Sequence, residues 1–317
     1  MRHIPVLLTE TVSLLAPERG GIYVDCTVGL GGHAAALLEA GPQIQLIGID
    51  RDDRALEIAA QNLAPYADRI HLLSGEFAEL TELLERDGVQ KVDGIFADLG
   101  VSSLQLETAS RGFSFRLEGP LDMRMGAGQL TASDVVNDYA EEKLEEIFRA
   151  YGEERQARRI ARAVATSRQE KPIETTTELR EIVADASRRS AKRRGRRRRS
   201  PRSFKKRIDP ATRVFQAIRI EVNRELAGLE ALLDQAVRLL RDDGRLVVIS
   251  YHSLEDRPVK NRIRDLARGE VDQITGRPLS ETQVIEVLTK RPIRPGEEEL
   301  AMNPRARSAR LRAGRRI

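Results

Sequence analysis

Short apolar runs alternate with amphipathic stretches over the N-terminal part of the chain. Ile22–Cys26, Gln43–Asp50, Arg69–Ser74 and Val92–Asp98 have the length and β-branched content of strands, while Ala34–Ala40, Arg54–Leu63 and Leu80–Arg86 space their apolar residues as helices do. Alternation at this spacing predicts βαβ units and a parallel sheet. Right-handed crossovers then bring the carboxyl ends of the strands to one rim, where ligands bind in such sheets.

After Gln105 the rhythm breaks. Ser110–Met125 reads as loop, with Arg111-Gly112-Phe113-Ser114-Phe115 and Gly119-Pro120-Leu121-Asp122-Met123-Arg124-Met125 inside it. Helical patterns follow: one capped by Ser133, then Glu141–Tyr151, Arg155–Thr166 and Thr177–Ala186 after Pro172. A long pattern from Thr212 to Leu240 carries Val214, Ile218, Val222, Leu226, Leu229 and Leu233 at helical steps. Arg245–Tyr251 is the fifth strand, and Val284–Leu288 and Ser308–Arg312 supply the last two. The chain is thus expected to be α/β, a doubly wound, Rossmann-like sheet made of 1–108 and 211–317. A helical substrate-recognition insert of 109–210 splits it between its fourth and fifth strands.

Length agrees, since 317 residues suggest two domains, or one with a large insert, at about 150 residues each. A hydrophobic content of 40% is enough for a real core. The single cysteine, Cys26, excludes a disulfide framework and a Cys-rich zinc site. No run of ~18 apolar residues or signal-peptide core is present, which predicts a cytoplasmic protein without a membrane partner. Net charge is +4, but the average conceals a division. Of the 20 residues Arg188–Arg207, 13 are basic and none acidic; Arg305–Ile317 adds six arginines, and the remainder carries −15. An acidic body with two basic devices points to a polyanionic partner. Arg196, Arg197, Arg198 and Arg199 are the densest candidates for sequence-independent phosphate attraction, with the C-terminal arginines a weaker version.

The turn after the first strand, Asp25-Cys26-Thr27-Val28-Gly29-Leu30-Gly31-Gly32-His33, is glycine-rich, so backbone can approach a ligand closely. It lacks the Gly-x-Gly-x-x-Gly of a dinucleotide site, and Asp25 would repel a pyrophosphate. A cationic sulfonium and ammonium, as in S-adenosylmethionine, would be favoured by the same acid. Asp50, ending the second strand, can accept both hydroxyls of a ribose, and Asp98 ends the fourth. Phe77 follows the third strand, where its ring can lie on an adenine or fill the core. His3, His33, His71 and His252 share no metal-ligand spacing, so no metal is expected.

These motifs, together with His3-Ile4-Pro5-Val6-Leu7-Leu8, Asp98-Leu99-Gly100-Val101-Ser102-Ser103, Pro210–Ile220, Ile249–Asp256 and Asn303–Ser308, resemble the ribosomal RNA small-subunit methyltransferase H family, also called MraW. The resemblance implies a class I methyltransferase fold and N4-methylation of a decoding-centre (P-site) cytidine in 16S ribosomal RNA of the small subunit. S-adenosyl-L-methionine is the implied donor, and a homodimer is left open. Its cofactor positions fall on Gly31, Gly32, His33, Asp50, Phe77, Asp98 and Gln105. Cys26 stands where the family usually has glycine, and Leu104 where it usually has proline.

An exocyclic cytosine amine is a weak nucleophile, so the site must align it and accept its N–H bonds as charge develops. Asp98 and Ser102 are the candidate acceptors. His252 and Asp256 can contact the base or cap the following helix. Phe113, Phe115 and Met123 can stack on a base made accessible by flipping or by lack of pairing, or seal the insert. Two other readings remain: an NAD-linked oxidoreductase on the same sheet, and a ribosome-assembly factor that retains the pocket without catalysis.

Overall fold

A computed structural model describes residues 4–193, 209–270 and 279–317. In chain order the elements are α1 (Leu8–Leu15), β1 (Gly21–Asp25), α2 (Gly32–Ala40), β2 (Ile44–Asp50), α3 (Asp53–Asn62), β3 (Ile70–Ser74), α4 (Leu80–Arg86) and β4 (Val92–Asp98). Next come α5 (Ser103–Glu107), α6 (Ala132–Asp138), α7 (Glu141–Ala150), α8 (Ala157–Glu170), α9 (Thr176–Arg193), α10 (Pro210–Asn223) and α11 (Glu225–Leu239). β5 (Leu240–Ser250), α12 (Ser253–Arg268), β6 (Ile285–Val287), α13 (Glu297–Met302) and β7 (Arg310–Arg316) complete the chain.

Two compact units result: 1–100 with 226–317, and 101–225. The first is an α/β unit whose seven-stranded sheet runs β3-β2-β1-β4-β5-β7-β6. β1 to β5 pair in parallel and β7 runs antiparallel to both neighbours. This is the class I methyltransferase sheet. The strand order reverses between β1 and β4, so the crevice at their carboxyl ends is the topological switch point. Apolar residues bury both faces. Val24, Ile47, Ile95 and Val248 pack with α4, α11 and α12 on one side, and Tyr23, Leu46, Phe96 and Ile249 with α1 and α2 on the other. Near-continuous apolar strands follow from that two-sided burial.

The second unit is helical, with its own core of Leu144, Phe148, Ile160, Val164, Leu179, Val183, Val214 and Ile218 among others. Its extent corrects the expected 109–210. α10 lies within the 211–317 expected to belong to the sheet unit, but its face of Ala211, Val214, Phe215, Ile218 and Val222 is buried in the helical core. The expected single helix Thr212–Leu240 is also broken. Arg224 takes φ 50°, ending α10 before α11 begins, a left-handed turn that apolar periodicity does not register. Thr131, not Ser133, caps α6: its Oγ1 accepts the Asp134 N–H at 3.2 Å, and Asp134 Oδ2 accepts the Thr131 N–H at 2.7 Å. Phe113 and Met123 are buried within this unit, and the Phe115 ring meets Phe215 edge-on at 5.3 Å. They are core residues here, so stacking on a base is not open to Phe113 or Met123. The loop around Met123 is held by Asn223, whose Nδ2 donates to the Met123 carbonyl (2.8 Å) and whose Oδ1 accepts from the Met125 N–H (2.9 Å).

Candidate active site

Register aligns the strand ends. Asp25 of β1 lies opposite Gly48 and Phe96, Asp50 of β2 opposite Ser74, and Asp98 of β4 opposite Ile249. Three carboxylates therefore end three adjacent strands of the α/β unit, and none forms an ion pair among the described residues. Each is oriented locally. Asp25 Oδ1 accepts the Thr27 N–H (3.1 Å). Asp50 Oδ2 accepts the Gly29 N–H (2.9 Å) and its Oδ1 the Asp52 N–H (3.0 Å). Asp98 Oδ1 accepts the Tyr251 hydroxyl (2.8 Å), and the Asp98 N–H donates to Thr27 Oγ1 (2.7 Å). Burial pushes Asp25 and Asp98 up to about 7 and raises Asp50, where the backbone N–H groups and the Arg51 charge oppose it only in part. Asp98 and Asp50 add to the rise at Asp25, and Glu255 to that at Asp98. The Tyr251 phenol, buried against those acids, is pushed well above its usual range.

The turn between β1 and α2 wraps this rim. Gly31 has φ 84°, a conformation a side chain would strain, and opens α2. Gly32 is small for a different reason: a Cβ there would stand 2.6 Å from Pro5. The N-terminal segment thus packs on the turn, and His33 secures it, with Nε2 bonded to the Val6 carbonyl at 2.9 Å and its ring 4.7 Å from Phe96. His33 is buried, so its imidazole braces the turn. Phe77 is half-buried against the apolar layer under the sheet, its edge beside Gly228 of α11.

Comparison with known proteins bears on what this rim serves. The chain matches the MraW methylase family over residues 1–317. The chain belongs to the MraW methylase family. It is similar to the ribosomal RNA small subunit methyltransferase H of Geotalea uraniireducens (strain Rf4), 48% identical with 99% of this chain and 98% of that protein covered. It is also similar to that of Thermobifida fusca (strain YX), 47% identical with 99% and 93% covered. A solved rRNA methylase from Streptococcus thermophilus aligns with a TM-score of 0.41 at 12% identity, over 100% of this chain and 99% of that one. This member of the MraW family is accordingly a methyltransferase, with S-adenosylmethionine as its donor.

The rim of the family member fits that donor. Unpaired carboxylates raised by burial favour a cation, and Asp50, with a lone pair left on each oxygen, can still accept two ribose hydroxyls. Of the other sequence candidates, Ser102 and Gln105 belong to the helical unit. They cap one another: Ser102 Oγ accepts the Gln105 N–H (3.2 Å), and Gln105 Oε1 the Ser102 N–H (3.1 Å). His252 opens α12 in a capping box with Glu255, its Nε2 3.1 Å from the carboxylate. Asp256 is committed to Arg312 (2.6 Å) and Arg310 (3.4 Å), so base contact is not its role. Arg196–Arg199 lie outside the described residues. The C-terminal arginines, expected as a phosphate-attracting tail, are largely structural: β7 is a sheet strand, and Arg312, Arg315 and Arg316 are set against Asp256, Asp243, Glu286 and Asp242. Sequence reading missed Thr27 and Tyr251, which orient Asp98. Their signal was adjacency to the glycine turn and the fifth strand end; their convergence on one carboxylate is tertiary. Among the described residues no helix is long and apolar enough to cross a membrane.

Proposed function

We propose that this methyltransferase modifies 16S ribosomal RNA of the small subunit at the exocyclic N4 of a decoding-centre cytidine. The relatives' names carry the small-subunit RNA, and the motif resemblance carries the position. The observation that supports the chemistry best is Asp98. Its Oδ1 is held by Tyr251, while its Oδ2 has no partner among the described residues. A fixed carboxylate with one open oxygen suits an amine, which must donate a hydrogen bond as its nitrogen gains charge. Ser102, engaged in its cap, is the weaker acceptor.

S-adenosylmethionine supplies an activated methyl on a positive sulfur. Asp50 binds the ribose hydroxyls, Asp25 and the Gly29–Gly32 backbone accommodate the cationic portion, and Phe77 lies against the adenine. Asp98 orients the amine in line with the methyl, gaining strength as positive charge develops on N4. Its carboxyl, poised at about 7, then takes the N4 proton. Arg196–Arg199 contribute sequence-independent attraction to phosphate.

The test is transfer of labelled methyl to small ribosomal subunits lacking the modification, followed by nucleoside mapping. Label on N4 of one cytidine is expected. Label on a ring carbon or ribose, or no transfer, overturns the reading. Titration with NAD in parallel disposes of the oxidoreductase, because pyrophosphate beside Asp25 is repelled.

A further inference from the structure

The sheet does not treat its C-terminal arginines alike. Arg315 and Arg316, at the end of β7 far from the rim, are neutralised by Asp243, Glu286 and Asp242. Arg312 is 8% exposed and tied to Asp256, which also holds Arg310. Lys290, Arg291, Arg294 and Arg307 are different. All four are exposed, and none forms an ion pair among the described residues.

Register places the Arg291–Arg294 segment. Ile293 bridges Leu311 in both directions, its N–H donating to the Leu311 carbonyl (3.0 Å) and its carbonyl accepting the Leu311 N–H (2.9 Å). Leu311 lies opposite Ile249, and Ile249 opposite Asp98. Ile293 is thus level with Asp98 across three strand spacings, roughly 15 Å at about 4.8 Å each. The carriers of these cations are anchored. Ile293 packs on the apolar core while Arg291 and Arg294 stand on either side of it, between and beside Pro292 and Pro295. Arg307 follows Ala306, which is fully buried, in a short 3-10 turn capped by Asn303, whose Oδ1 accepts the Arg305 N–H. Proline and buried anchors lower the entropy lost when such side chains take a ligand. Glu297 and Glu298 follow on α13, where the first-turn N–H groups already favour them.

We infer that Lys290, Arg291, Arg294 and Arg307 form a preset phosphate-binding ledge on the α/β unit, at the rim beside Asp98, that holds the RNA backbone flanking the target nucleotide. This rests on the proposed RNA substrate and adds to it cations other than those of the Arg188–Arg207 run. Its reach from Asp98 suits phosphates a few nucleotides from the reacting base, not the base itself.

The experiment measures binding of the full chain to isolated small ribosomal subunits over a salt series. Each phosphate neutralised adds roughly 0.7–0.9 to the slope of log affinity against log salt. Arg291→Ser, Arg294→Ser and Arg307→Ser combined should lower it by about 2–3, with S-adenosylmethionine affinity and melting temperature unchanged. Arg294→Gln alone should lower it by roughly 0.7–0.9, and serves if the triple variant fails to fold. Arg316→Gln, at the far end of β7, should leave it at the parent value. Equal slopes for Arg294→Gln and the parent overturn the ledge while leaving the methyltransferase reading standing. A parent chain that neither binds nor methylates small subunits overturns both.

Discussion

In the α/β unit three carboxylates end adjacent strands with no ion pair among the described residues, whereas acids of the helical unit are set against cations. There Glu141 meets Arg162, Lys171 meets Glu174 and Glu178, and Asp209 meets Arg180. The titration directions follow. Asp25 and Asp98 are pushed up to about 7. Glu178 is held down to about 2 by the N–H groups of Glu174 and Thr175, and Asp134 is lowered by the Thr131 hydroxyl. At Asp122 burial pushes upward, but the Arg124 hydrogen bonds outweigh it and the net shift is downward. Charges in the helical unit lie where they are comfortable. Those at the rim are unfavourable until a cation arrives, which is how a binding site differs from a scaffold.

The largest effect expected of that difference is catalytic. Asp98→Ala should lower single-turnover methyl transfer by about 10²–10⁴, the range of a positioned acid–base group, while RNA binding persists. Near-normal turnover would make Asp98 another solvated acid and erase the contrast.

In the helical unit the equivalent blow is structural. Asn223→Ala removes the hydrogen bonds to the Met123 carbonyl and the Met125 N–H. At about 1–3 kcal/mol for each of the two bonds lost, hydrogen-exchange protection of α10 should fall by roughly 2–6 kcal/mol. If β4 and β5 lose protection equally, the two units unfold as one and do not have separate stabilities.

Asp50→Ala comes next. Loss of even one charge-assisted bond to the ribose, at about 1.5–3 kcal/mol, should weaken S-adenosylmethionine binding by roughly 10–100-fold in calorimetry. Unchanged affinity would remove the ribose assignment.

The last effect is linkage. Asp25 and Asp98 titrate near 7 folded against about 4 unfolded, so the native state binds more protons between those values. Their contribution to stability of the free protein therefore declines as pH rises from about 4 to about 7. A cation prefers the ionised acids, so its affinity should rise, with proton release, as pH passes from 6 to 8. Tyr251→Phe removes a donor from Asp98 and should move the acid limb of the turnover profile upward. A limb that stays put would show that Asp98 does not set it.

Much of this was legible in the residues. The strands ending at Asp25, Asp50 and Asp98, the glycine turn and the insertion after the fourth strand all follow from local periodicity, which a buried parallel sheet and its crossovers impose. Other features were beyond that reach. The break at Arg224 costs a single left-handed residue and leaves the apolar spacing on both sides intact. Phe113 and Met123 look the same in sequence whether they face a base or a core, and only packing decides. The same holds for the C-terminal arginines: composition makes them a basic tail, but acids brought from β5, β6 and α12 pair with those of β7 and leave Arg307 without an ion pair among the described residues. By itself the sequence determined which elements form and which acids end them, because those depend on neighbours along the chain. The tertiary structure decided which oxygen Tyr251 fixes and which cations stay unpaired, because charge and hydrogen bonding depend on what folding brings within a few ångströms.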